Sequence, residues 1–336
     1  MSVPGTVLSI GVVGAGEITR KSHLPVLVNM PDVKIDWLYD QRATSARALA
    51  GAYGLPAVHA PSPSELPACD VVLLAIPVDA RLAYLDLIRA RGGAAFCEKP
   101  FALSAADHTR EVQRFAPHAL GAGFMRRFFR PTILMRQVVV ERIFGCLRKI
   151  EICEGNRSKG SGTDSSFLDD PRLGRSRGVL VDLGSHTIDL ALHISGATGF
   201  RVQSSAAVMD GAVDRKLAAS VQLDVGVGKP VELDYTVSWL DRQPNRVTLT
   251  FDNAVVWSGL GPAAEVFVGR HGKPRDLFCL SSPTAGATTY GQAFYLEWRA
   301  FLSGFRSQTE SIVSARSAYL TTQLVEALGA AGSKHA

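Results

Sequence analysis

The sequence predicts an α/β fold: a doubly wound parallel sheet first, then an α+β domain built on a large, mostly antiparallel open sheet. Three observations predict it. Short apolar runs alternate with helix-like stretches up to about residue 123, apolar and polar side chains alternate singly beyond it, and 336 residues exceed what one core usually serves. We therefore expect two domains, 1–123 and 124–336.

In the first part the runs Val7 to Val13, Val33 to Tyr39, Val71 to Ile76, Ala94 to Cys97 and Leu120 to Gly123 read as apolar on both faces. Strands covered by helices on both sides of a parallel sheet have this character. Helices are expected over 19–30, 43–53, 79–91 and 104–115. The second and third end at Gly54 and Gly92, where a left-handed cap suits glycine. The fourth is entered through Ser104-Ala-Ala-Asp107, a capping box with Asp in place of Glu.

In the second part Val231, Leu233, Tyr235, Val237 and Trp239 interleave with polar residues, as do Val247, Leu249 and Phe251, and Val221, Leu223 and Val225. Such strands bury one face. Helices over 131–143, 183–195, 290–305 and 314–330 would cover the apolar side, leaving the other side to solvent or to subunit contact. Gly155 to Ser166 is the best candidate for a mobile loop.

Lys plus Arg total 36 against 31 for Asp plus Glu, a scattered excess that argues neither for nucleic acid nor for a membrane. Five cysteines without a C-x-x-C pair imply no disulfide framework, no metal site and a reducing compartment. No targeting or membrane-spanning pattern is visible, so a cytoplasmic protein is expected.

Gly14-Ala15-Gly16 follows the first strand and opens the first helix. Gly14 suits the tight turn, Gly16 lets backbone N–H groups approach a pyrophosphate, and Glu17 and Ile18 begin the helix where a third glycine is absent. Asp40 ends the second strand 24 residues after Gly16, close to the separation at which an acid meets an adenosine ribose. The context reads as a dinucleotide site, with a plain strand-to-helix turn as the alternative. Asp40 would repel a 2′-phosphate, which favours NAD, while Arg42 keeps NADP open. Ile76 and Pro77, ending one strand, and Glu98 and Lys99, ending another, complete the expected cofactor-binding set, because open α/β sheets bind ligands at the carboxyl ends of their strands. Pro100 stops the strand and restricts the pose of Lys99.

Residues 178–196, GVLVDLGSHTIDLALHISG, read as a buried approach and then a helix from about Leu183. Asp182 and His186 are four apart and share a face. The carboxylate can orient the imidazole, making an acid–base histidine; a helix cap beside a core histidine fits the spacing equally well. His193 and Asp189 continue the helix beyond the pair and fit a core role better.

Gly14-Ala-Gly16 with His23-Leu-Pro25, Asp40, Glu98-Lys99-Pro100, Gly123-Phe-Met-Arg-Arg127 and Gly178-Val-Leu-Val-Asp182-Leu-Gly-Ser-His186 together resemble the glucose-fructose oxidoreductase, inositol dehydrogenase and rhizopine catabolism protein family (Gfo/Idh/MocA). The match is collinear from residue 5 to about 196. The resemblance implies a Rossmann domain followed by a substrate-binding domain whose open sheet is used for oligomerisation, as a dimer or tetramer. It places Lys99 by the nicotinamide ribose and substrate, and gives His186 the hydroxyl proton with Asp182 in support. Two departures are visible. Arg81 stands where relatives often carry a histidine, and the glycine-rich approach to the Asp-His helix is reduced to Arg175-Ser-Arg-Gly178.

The implied reaction is reversible oxidation of a secondary alcohol of a sugar, polyol or sugar derivative by NAD(P). Arg126, Arg127 and Arg130, with Arg157, Arg172, Arg175 and Arg177, raise a weaker expectation of an anionic substrate such as a nucleotide sugar, against which stands their being ordinary surface arginines. Of these, Arg127 and Arg157 are the candidate substrate contacts. An NAD-dependent hydrolase or eliminase oxidising transiently, and a non-catalytic NAD-binding regulator, are the alternatives.

Overall fold

The computed structural model describes residues 7–156, 178–226, 228–270, 273–281 and 286–332. Strands β1 (Leu8–Val13), β2 (Val33–Tyr39), β3 (Val71–Leu74), β4 (Ala94–Cys97) and β5 (Leu120–Ala122) form one parallel sheet in the order β2-β1-β3-β4-β5. The strand order reverses direction between β1 and β3, so the crevice that open sheets offer to ligands lies outside the carboxyl ends of those two strands. The connecting helices are α1 (Leu24–Leu27), entered through a wide π-turn at Thr19–His23, then α2 (Ala43–Tyr53), α3 (Leu82–Ala90) and α4 (Ala105–Arg114). Pro25 has no N–H to close a regular helical turn, which favours the wide one before it. Gly54 and Gly92 are left-handed where the sequence expects the second and third helices to end.

The second sheet has eight strands: β6 (Leu147–Gly155), β7 (Gly199–Asp210), β8 (Val213–Asp224), β9 (Val231–Ser238), β10 (Arg246–Phe251), β11 (Ala254–Gly259), β12 (Val266–Arg270) and β13 (Lys273–Leu280). Their order is β13-β12-β11-β10-β6-β9-β8-β7, antiparallel except for the parallel pair β6–β9. Single alternation buries Val231, Leu233, Tyr235 and Val237 of β9 and Val247, Leu249 and Phe251 of β10 on one face. Against that face pack α5 (Arg130–Val140) through Met135, α6 (Ser185–Ser195) through Ile188 and Ala191, and α8 (Tyr319–Gly332) through Leu324 and Leu328.

One boundary at 123/124 does not describe the result. The compact units are Met1–Ala102 with Ala106–Gly123 and Tyr290–Ala318, and Leu103–Ala105 with Phe124–Thr289 and Tyr319–Ala336. The helix α7 (Tyr290–Ser307) belongs to the first unit because its apolar face has partners there. Trp298 and Phe301 lie 4.5 and 5.1 Å from the Phe96 ring of β4, centroid to centroid.

Candidate active site

The glycine turn after β1 is built by its neighbours. Gly14 has φ 106°, and a Cβ there would sit 2.3 Å from the Ala75 carbonyl oxygen, so both conformation and space demand glycine. A Cβ on Gly16 would meet nothing within 4 Å, leaving the helix entrance open for a phosphate. Thr19 closes the turn by donating its hydroxyl to the Gly14 carbonyl at 2.7 Å. Asp40 accepts the Ala15 N–H on one carboxylate oxygen and the Arg42 N–H on the other, each at 2.8 Å. Each oxygen keeps a second acceptor position, the pair that two ribose hydroxyls require. Arg42 is largely exposed, its Nε 3.9 Å from Asp40. Glu17 is paired with Lys21, whose hydrogen bond lowers its pKa, and Ile18 is exposed. These residues fit a dinucleotide.

The ends of β3 and β4 meet through a side chain the sequence marks only as a departure. Arg81, 4% exposed, donates Nε to the Ile76 carbonyl at 3.0 Å and Nη1 to the Pro100 carbonyl at 2.8 Å. It therefore ties the Ile76-Pro77 turn to the Lys99-Pro100 turn, whose peptide bond is cis. Burial pulls the Arg81 pKa down from the ordinary arginine value, with Cys97, Glu98 and Asp79 pulling it back. Glu98 accepts the Lys99 N–H at 3.1 Å on one oxygen and lies 2.8 Å from His23 Nε2 on the other. Burial pushes the Glu98 carboxyl up, but His23, and after it the charges of Lys99 and Arg81, win, holding it below the usual carboxylate value.

In the second unit Asp182 lies in a π-turn, Leu180–Gly184, that leads into α6, and His186 lies in the first turn of that helix; both are partly buried. The Nδ1 edge of His186 is sealed from solvent. Phe124 stands edge-on to the ring, 6.4 Å away at 89°. Asp214 of β8 accepts the Leu180 N–H at 2.8 Å, capping the helix from another element. Gly178, at φ 109°, makes this approach feasible, since a Cβ there would fall 1.8 Å from the Asp214 carboxylate. Burial raises the Asp214 carboxyl to about 6.

Two of the arginines are buried. Arg127 is 4% exposed and forms a two-pronged pair with Asp189, 2.9 Å from Nε and 2.5 Å from Nη2, while Thr321 donates to the same carboxylate at 3.0 Å. Arg126 pairs likewise with Glu154 at 2.7 and 2.9 Å. Both tie elements of the second unit together and are not surface arginines. Asp189 belongs to the core of that unit, as expected, at 2% exposed, whereas His193 is only partly buried; burial, then Arg127 and Arg136, lower His193 to about 3. Arg157, Arg172, Arg175 and Arg177, and the expected loop beyond Asn156, lie outside the described residues. Sequence reasoning gave no role to Arg81, Asp214 or Trp298; the only signal for Arg81 was its place after the Ile76-Pro77 turn.

Among the described residues no helix is long and apolar enough to cross a membrane, and no cluster of His, Cys, Asp and Glu is placed to hold a metal ion. Residues 8–120 match an oxidoreductase family model with an NAD-binding Rossmann fold, and residues 132–267 match the GFO/IDH/MocA C-terminal domain. Inositol 2-dehydrogenase of Rhizobium meliloti is 26% identical over 202 residues, covering 59% of this chain and 58% of the relative. D-glucoside 3-dehydrogenase of Escherichia coli is 25% identical over 194 residues, 56% and 54% of the two chains. The matched region thus spans little more than half the length of these curated relatives. In fold, a 3-ketoreductase from Actinomadura kijaniata, crystallised with NADP and TDP-benzene, superposes with a TM-score of 0.80 over 96% of this chain and 97% of its own, at 19% identity. With the Rossmann unit and the C-terminal domain both matched in order, the chain belongs to the GFO/IDH/MocA oxidoreductase family.

Proposed function

We propose that the protein is an NAD(P)-dependent dehydrogenase or ketoreductase acting on a secondary hydroxyl of a sugar, polyol or sugar derivative. The observation that carries the reading is the pairing of a glycine turn and its acid at the sheet's crevice with a braced lysine turn at the end of β4, two strands from β1 in the same sheet. Gly14, Gly16, Asp40 and the turns at Ile76-Pro77 and Glu98-Lys99 would hold the dinucleotide; when bound, its nicotinamide supplies the hydride acceptor or donor. Lys99 would steady negative charge on the substrate oxygen, and His186 would take the hydroxyl proton, with Asp182 in support. The carboxylate of Asp40 favours NAD over NADP by charge. The relatives named for oxidation of inositol and a glucoside support a polyol or sugar substrate, and the TDP ligand of the 3-ketoreductase supports including nucleotide sugars.

Absorbance in the nicotinamide band, followed with NAD or NADP and a panel of pyranoses, inositols, sugar acids and nucleotide sugars, tests this reading. Net reduction with at least one of them is expected. Consumption of a sugar by cleavage or elimination without net NADH would replace it with transient oxidation.

A further inference from the structure

We propose that His23 and Trp298 are positioning residues for Lys99: Trp298 locks His23 in its Nε2–H tautomer, and that tautomer holds the Glu98 carboxylate on which the Lys99 amide rests. The proposal builds on the assignment of Lys99 to the reacting site.

The polarity of each link fixes the next. An indole N–H can only donate, and Trp298 Nε1 lies 3.0 Å from His23 Nδ1, so Nδ1 is the acceptor and carries no proton. The imidazole proton is then on Nε2, which points at Glu98 Oε1 across 2.8 Å. That contact is a hydrogen bond from a neutral ring to a carboxylate and not a pair of full charges. The other carboxylate oxygen accepts the Lys99 N–H at 3.1 Å. His23 is fully buried, with Phe294 edge-on at 5.0 Å and Phe96 at 6.3 Å, so no water competes for either ring nitrogen. Opposite the carboxylate, Arg81 holds the Pro100 carbonyl at 2.8 Å. The peptide group before Lys99 is therefore held through the relay, and the Pro100–Phe101 peptide beyond it through Arg81. The relay also gives α7 a chemical role, because a side chain 275 residues from His23 sets which nitrogen carries its proton.

Long-range proton–nitrogen correlation spectra of the protein labelled in histidine test the first link without substrate, so this result is independent of the dehydrogenase reading. A protonated Nε2 and a bare Nδ1 at neutral pH are expected for His23; an Nδ1–H ring or an imidazolium overturns the proposal. The second link is read by a double-mutant cycle in both kcat and Tm. Glu98→Gln replaces an acceptor by a group that cannot accept from both His23 and the Lys99 amide. In the Trp298→Phe background the imidazole is free to move its proton to Nδ1, so Glu98→Gln is expected to cost less there than in the wild type. Trp298→Phe alone is expected to lower kcat about tenfold, through misplacement of Lys99, with NAD affinity changed less than about twofold. Equal costs of Glu98→Gln in the two backgrounds overturn the relay. Absence of turnover in the wild type would remove the role of Lys99 and leave the tautomer and the Tm cycle to stand or fall alone.

Discussion

Asp40 holds two backbone amides, one in the glycine turn and one in its own turn, and so prepares the place where a ribose would bind. Asp40→Ala removes the hydroxyl acceptor and the support of Ala15 together, which is expected to raise KM for NAD about tenfold to a hundredfold, as for a lost hydrogen bond to a charged group. Initial rates with both cofactors should also show a narrower preference for NAD; an unchanged ratio removes Asp40 from the discrimination. Gly14→Ala sets a Cβ against the Ala75 carbonyl at positive φ, a conformational cost of about 1–2 kcal/mol before the clash is counted. Lower Tm and weaker NAD binding are expected together. Both residues were legible in the sequence because a glycine turn after one strand and an acid ending the next stand at the spacing that a dinucleotide-binding unit requires. The roles of Arg81 and Arg127 were not, because no motif spacing announces the Pro100 carbonyl or Asp189 as their partners.

The helix α6 shows what a single element can reveal. Its apolar pattern and the left-handed Gly196 at its end are plain in the sequence, whereas the π-turn Leu180–Gly184 before it is not, since that turn leans on Asp214 from a distant strand. The spacing of Asp182 and His186 was therefore legible, and the anchoring of the helix that carries them was not. The Arg127–Asp189 pair within this anchoring is buried, so breaking it by Asp189→Asn should destabilise the second unit by about 3 kcal/mol, because the guanidinium loses its counter-charge. Replacing both members with apolar residues, Arg127→Met with Asp189→Leu, should cost less than the single change. Denaturant unfolding of the two variants reads the order; a milder effect of Asp189→Asn would mean the pair is not what secures α6.

At the scale of the whole molecule, the change of pattern near residue 124 was legible, but the return of α7 to the first unit was not, because an amphipathic helix names no partner. Stability should fall in mild acid. Burial lowers His108, which contacts the Ala315 carbonyl at 2.8 Å, to about 4, and His193 to about 3. The unfolded chain takes up these protons first, so stability is lost as pH falls below 6.5, by about 2 kcal/mol per histidine at pH 5. Asp214 opposes this between about 6 and its ordinary value of 3.8, where the folded chain is the first to bind the proton. Two groups against one leave a net loss. The His108→Gln, His193→Gln variant should lose less Tm between pH 7 and pH 5 than the wild type. On the sheet face away from the core, Trp257 stacks on Phe267 at 5.8 Å, and pairing of copies through this face is our expectation. Trp257→Glu should then shift sedimentation toward the monomer. The central claim, that Lys99 and His186 carry hydride chemistry on a sugar hydroxyl, is tested most directly by kcat for nicotinamide reduction in Lys99→Met and His186→Asn at saturating cofactor. Loss of about a hundredfold or more in each, with NAD affinity kept, is expected; reduction at the wild-type rate by either variant would contradict it.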